Sequence, residues 1–193
     1  MLSERFNHPT YFLRRRFFKV LGAALHIFAP DGSLAFYAEL KAFRLREDIR
    51  LYADESMGAE LLLIKARQIL DISATYDVID PATGEKVGAL KRRGLKSMLR
   101  DEWAILDAAD MEIGTIREDS MALALIRRFL TNIIPQTFTA EVRGSVVATY
   151  KQHFNPIIFK MTADFSTDVG GALDRRLGIA AAVLLATIEG RQG

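Results

Sequence analysis

The stretch "YDVIDPATGEKVGALKRR", Tyr76 to Arg93, decides how the chain is read. Asp80-Pro81-Ala82-Thr83-Gly84 has turn chemistry throughout: Asp bonds back to local backbone, Pro presets φ, and Gly closes the turn at positive φ. On the entering side Ala74, Tyr76 and Val78 alternate with Thr75, Asp77 and Ile79. On the leaving side Val87 to Leu90 precede the charges Lys91, Arg92 and Arg93. This is a β-hairpin. A second copy follows in "WAILDAADMEIGTIRED", Trp103 to Asp119, which aligns Val78 with Ile105, Asp80 with Asp107, Val87 with Ile113 and Gly88 with Gly114.

Two looser copies flank the pair. "HIFAPDGSLAFYAELK" (His26 to Lys41) turns at Pro30-Asp31-Gly32, and "FTAEVRGSVVATYKQ" (Phe138 to Gln152) turns at Arg143-Gly144. Further strands are expected near Ile49 to Ala53, Leu61 to Ala66, Asp101 to Leu106 and Pro156 to Thr162. Short strands at regular intervals indicate an antiparallel sandwich or a closed barrel. Two segments have another period. "SMALALIRRFLTNII" places Ala122, Leu125, Ile126, Phe129, Leu130 and Ile133 at helical spacing, capped near Asp119 or Ser120 and stopped by Pro135. It predicts a helix on the outside of the sheet. Leu177 to Ile188, "LGIAAAVLLATI", is apolar all round, and a helix without a polar face must be enclosed on every side. A barrel of hairpins around a C-terminal helix satisfies these patterns together, with Gly88 and Gly114 permitting bends or close backbone approach.

Composition sets the outer limits. The 193 residues, half of them apolar, suffice for one sizeable core: residues 1–10 read as a lead-in and 11–193 as a single domain. The formal charge of +2 supplies no overall field toward nucleic acid, which is not an expected partner. The absence of cysteine excludes disulfides, thiolate metal sites and a cysteine nucleophile, and suits the cytoplasm. The N-terminus shows no secretory pattern. At about twelve residues, the apolar segment Leu177 to Ile188 falls short of the roughly twenty needed to cross a bilayer. A cytoplasmic protein, at most peripheral to a membrane, is expected.

The order of "HIFAPDGSLAFYAELKAF", "YDVIDPATGEKVGALKRR", "WAILDAADMEIGTIRED" and the closing "DRRLGIAAAVLLATIEG" resembles the tubby C-terminal-like superfamily, and within it the LURP-one-related and phospholipid-scramblase-like branch. The resemblance runs from about Tyr11 to Gly190. It implies a closed antiparallel barrel of about twelve strands around a buried C-terminal helix. It also implies anionic phospholipid head groups as a candidate ligand. The chain lacks the proline-rich N-terminal region and cysteine cluster of the scramblases, which argues against scramblase activity.

The residue types and spacings of known catalytic and metal motifs are missing from the chain. His8, His26 and His153 have none of the short spacings of a metal site. "TGEKVG" lacks phosphate-loop spacing and lies in a hairpin turn, and no nucleophile elbow or dinucleotide fingerprint occurs. "DFSTDVGG" sets Asp164, Ser166 and Asp168 at alternate positions, but the glycine comes one place late for a calcium loop and Arg175 stands where a bidentate Glu is required. In "REDIRLYADE" the carboxylates Glu47, Asp48, Asp54 and Glu55 are interleaved with Arg46 and Arg50, the pattern of surface ion pairs. No cofactor, metal or catalytic residue is implied.

The most basic run, "LKRRGLKSMLR" (Leu90 to Arg100), supplies the candidate anionic-lipid or phosphate contacts: Lys91, Arg92, Arg93 and Lys96, with apolar Leu95, Met98 and Leu99 interleaved. Its plainer role is a basic strand connection with solvated charges. The expectation is a non-enzymatic binding or scaffold protein that recognises anionic phospholipid at a membrane surface. The alternatives are an interaction module for an unknown protein partner, or an enzyme with a site assembled from scattered residues.

Overall fold

The computed structural model describes residues 3–18, 22–40, 48–67, 74–93, 102–119, 135–155 and 158–188. Twelve strands close into one antiparallel barrel: β1 (Thr10–Phe18), β2 (Gly22–Phe28), β3 (Leu34–Leu40), β4 (Ile49–Tyr52), β5 (Glu60–Ala66), β6 (Thr75–Ile79), β7 (Lys86–Arg92), β8 (Glu102–Leu106), β9 (Glu112–Glu118), β10 (Thr137–Val142), β11 (Ser145–His153) and β12 (Phe159–Asp164). Each strand pairs with its sequence neighbour, and β1 closes the ring by pairing with β12. Helix α1, Arg175–Ile188, follows the last strand and fills the interior. The expected outer helix over residues 120–134 lies outside the described residues.

The repeated hairpin is literal. Val78 faces Gly88 across β6 and β7, and Ile105 faces Gly114 across β8 and β9, with a register shift one residue later in each. Asp80 Oδ1 accepts the Ala82 amide at 3.0 Å, and Asp107 Oδ1 accepts the Ala109 amide at 2.9 Å. Each turn is thus built by an aspartate bonding its own backbone two residues on. The Arg143-Gly144 turn is tighter. Both residues sit at positive φ, 51° and 81°, the conformation of a two-residue hairpin whose twist matches its strands.

The paired glycines are there for space. A Cβ on Gly88 would stand 2.4 Å from the Leu106 carbonyl oxygen, and one on Gly114 would stand 2.2 Å from that of Glu141. Both obstacles are backbone of a neighbouring strand, which a side-chain rotation cannot clear. Gly114→Ala is therefore expected to destabilise the barrel by about 2–3 kcal/mol, the upper range for overpacking, read as a lowered midpoint in urea with an unchanged slope.

Every residue of α1 from Leu177 to Ile188 is buried. Leu177, Ile179, Val183, Leu184 and Ile188 point in several directions yet all meet the inner faces of strands, as enclosure requires. Gly178 lets α1 approach closely, since a Cβ there would come within 2.4 Å of the Phe165 ring. That ring is itself held edge-on between Tyr11 and Tyr150.

Both helix ends are satisfied chemically. At the start, Asp174 Oδ1 accepts the Arg176 amide at 2.9 Å as an N-cap. Arg176 also bonds Asp80 at 2.9 Å, tying the helix to the β6–β7 turn. At the far end, Arg15 of β1 reaches inward and donates from Nη1 to the Ala186 carbonyl, with the Thr187 carbonyl at 3.5 Å. A cation meets the negative end of the helix dipole where four carbonyls lack helical partners. No strand is expected from the sequence over Thr10–Phe18. An inward Arg15 breaks the apolar alternation that Tyr11 and Leu13 begin. The segment before β1 also packs on the barrel: Phe6 joins the core and Arg5 donates to the Leu34, Ala35 and Ala53 carbonyls.

Candidate functional site

The basic run begins at the end of β7, and strand alternation divides it. Leu90 is in the core, opposite Tyr76 and Ile105. Lys91 therefore projects outward beside Thr75 and Ala104, exposed, and makes no ion pair among the described residues. Arg92 returns to the inner side, opposite the buried Trp103. Arg93 lies just past the strand, and its guanidinium bridges Glu102 and Glu112, each at 2.5 Å. The Glu112 carboxylate, then Glu102, raise the Arg93 pKa above its ordinary value. Lys96 lies outside the described residues. The three described cations thus meet three different surroundings, because a period of two residues turns neighbours to opposite faces.

Charge pairing continues across the same side of the barrel. Arg67 after β5 bonds Asp77 of β6 at 2.6 Å and also Asp110 in the β8–β9 turn, and Lys86 of β7 reaches Asp110 at 2.6 Å. Arg67, then Lys86, hold the Asp110 carboxyl down to about 2. Arg50 meets Glu60 at 2.6 Å, and Arg117 stands 3.5 Å from Glu102. Such exposed pairs stabilise little, within about 1 kcal/mol each. Their effect on recognition is larger, since a cation already facing a carboxylate offers a weaker field to an incoming phosphate.

The comparisons with known proteins bear on this architecture. The family model described as LURP-one-related matches residues 10–186, from the first strand of the barrel almost to the end of its helix. The chain belongs to the LURP-one-related family. An Arabidopsis thaliana protein solved by X-ray crystallography is similar in fold, with a TM-score of 0.53 at 15% identity over 98% of each chain. No curated protein shows a significant match.

In this LURP-one-related barrel the remaining candidates are dispersed. His26 of β2 bonds Glu55 at 2.8 Å and stacks on Phe28, but it does so on the outer wall, where the Glu55 side chain is 68% exposed. A solvated carboxylate on a convex wall is not the enclosed histidine–carboxylate pair that acid–base chemistry needs. His153 bonds the Thr162 hydroxyl at 2.7 Å, and His8 lies edge-on to Tyr11. The Asp164 to Asp168 loop spends its carboxylates on its own backbone. Asp164 accepts the Ser166 amide, and the buried Asp168 accepts those of Ala172 and Leu173. Asp168 thereby shapes the approach to α1. Among the described residues no group of three or more His, Asp or Glu converges as a metal site would. In the acidic stretch, Asp54 bonds Ser56, while Glu47 and Arg46 lie outside the described residues.

The buried hydroxyls also serve packing. Tyr150 donates to the Gly178 carbonyl at 3.1 Å, anchoring α1 to β11, and burial pushes its pKa up. Tyr11 donates to the Arg5 carbonyl at 2.8 Å, and burial pushes its pKa up to about 12. No helix among the described residues is long and apolar enough to cross a membrane. Sequence reading missed Arg15 and the other cations of β1. The signal was present in "YFLRRR", where Tyr11 and Leu13 alternate with Arg14 and Arg16.

Proposed function

We propose that this chain is a non-enzymatic binding protein that docks on anionic phospholipid head groups at a membrane surface. With α1 and its strand partners packed through the interior, recognition falls to the outer wall. One observation supports the reading most: charge pairing on that wall is uneven. Arg50, Arg67, Lys86, Arg93 and Arg117, on or beside β4 to β9, each meet a carboxylate, and of the lysines there Lys65 and Lys91 meet none among the described residues. Arg14, Arg16, Lys151 and Lys160, on β1, β11 and β12, meet none among the described residues. Cations that meet no carboxylate among the described residues are available to an external anion, and each contributes about 1 kcal/mol near an anionic bilayer.

Flotation with vesicles tests the reading. The protein is expected to float with phosphatidylserine-containing vesicles at low salt and to remain behind with phosphatidylcholine alone. Binding should fall as salt rises, because the screening length shrinks to about 8 Å at physiological ionic strength. A protein that ignores both vesicles at low salt is not a lipid-binding protein, and the protein-interaction reading then replaces this one.

A further inference from the structure

The contact surface can be located from strand register. On the outer wall, His153 of β11 lies opposite Lys160 of β12, Lys160 opposite Arg14 of β1, and Arg14 opposite His26 of β2. One basic row therefore crosses four strands. The neighbouring row carries Lys151, Thr162, Phe12 and Phe28 in the same order. Arg16 extends the surface beyond Arg14 on β1 and is exposed. Like charges directly opposite one another destabilise a sheet pair, so placing Arg14 against Lys160 works against folding.

The acids nearest this surface are already committed or lie at its margin. Glu55 bonds His26, Asp164 accepts the Ser166 amide, and Glu39 lies on β3, two strands from β1. Apolar groups stand among the cations. Phe12 is 36% exposed with its ring 6.3 Å from that of His153, and Phe154, just past β11, is 58% exposed. Four cations spread over three strands, with an aromatic at the edge, suit a planar array of head groups whose acyl boundary admits Phe154.

We infer that the outer face of β11, β12 and β1, built on Arg14, Arg16, Lys151 and Lys160 with Phe12 and Phe154, is the surface that meets an anionic bilayer. This rests on the lipid reading above and names its contact face. It differs from the basic run of β7, which lies six strands from β1 and four from β11 around the twelve-strand ring. A flat membrane lying against the wall at β1 does not also lie against the wall at β7.

The test compares two four-fold variants of the full chain, Arg14→Gln/Arg16→Gln/Lys151→Gln/Lys160→Gln and Lys91→Gln/Arg92→Gln/Arg93→Gln/Lys96→Gln, in flotation with phosphatidylserine-containing vesicles. Each cation lost is worth about fivefold. The first variant should therefore lose a few-hundred-fold in affinity, and the second should stay within about tenfold of the parent. The first variant should also melt no lower than the parent, since relief of the Arg14–Lys160 repulsion favours folding. If it floats like the parent while the second does not, the β7 run is the contact, and the inference fails while the lipid reading stands. If the parent itself does not float, both fall. Tighter binding to a single-stranded oligothymidylate than to the vesicles, lost in the first variant, would keep the face but overturn the lipid as its partner.

Discussion

Leu184→Asp is expected to leave the barrel largely unfolded at temperatures where the parent is folded. Leu184 is 1% exposed in the middle of α1, inside a ring of strands whose inner faces are apolar. The substituted carboxylate would enter that interior with no cation designed to receive it. An uncompensated charge there costs several kcal/mol. A single domain has about 5–15 kcal/mol in total. At about 2–4 °C per kcal/mol for a chain of this size, the melting temperature should drop by more than about 10 °C. Leu184→Met, which keeps the volume, should cost under about 1.5 kcal/mol. The contrast between the two in circular-dichroism melts separates enclosure from simple loss of helix propensity, since Asp and Met differ there by well under 1 kcal/mol. An Asp variant that melted with the parent would mean that α1 has an open side.

Arg15→Met is the second large effect. The guanidinium stacks 5.0 Å from the Phe159 ring centroid and donates to the carbonyl of Ala186, all within the barrel wall and its contents. Methionine fits the space along the aliphatic stem but supplies no donor. The Ala186 and Thr187 carbonyls would then lose this buried donor, and the negative end of the dipole would lose its counter-charge. The expected cost is about 2–4 kcal/mol, because an orphaned buried acceptor loses its full desolvation energy and the partly buried dipole contact adds up to about 2 kcal/mol. Hydrogen exchange gives the signature that a merely packing role would not. Amides of the last turn, Leu184 to Ile188, should lose protection before those of Leu177 to Ala181. Arg15→Lys should recover part of the stability, since it restores the charge but not the planar donor set. Uniform loss of protection along α1 in the Met variant would remove Arg15 from its role at the helix end.

Much of this fold was legible in the residues alone. Turn chemistry at Asp80 and Asp107, alternation on either side, and a glycine at the same place in each copy led to two hairpins of one plan, and the structure gives both the same pairing, Val78 opposite Gly88 and Ile105 opposite Gly114. The unbroken apolar character of Leu177 to Ile188 required an enclosure, and a barrel is the enclosure that hairpins make. These inferences succeeded because local dihedral preference and burial of one strand face act over a few residues. They need no knowledge of what lies across the barrel.

What tertiary structure alone decided is which charges meet. Arg92 and Arg93 adjoin in sequence, yet one turns inward toward Trp103 while the other bridges Glu102 and Glu112, 9 and 19 positions away. Arg14, Arg15 and Arg16 adjoin in sequence, but closure of β1 against β12 sends the middle one to the helix end and leaves its neighbours outside beside Lys160. Sequence fixes how many cations there are and that adjacent ones on a strand must point apart. Whether a cation is neutralised depends on registers set by twelve strands and their closure, and a Coulomb interaction depends on distance through space rather than along the chain.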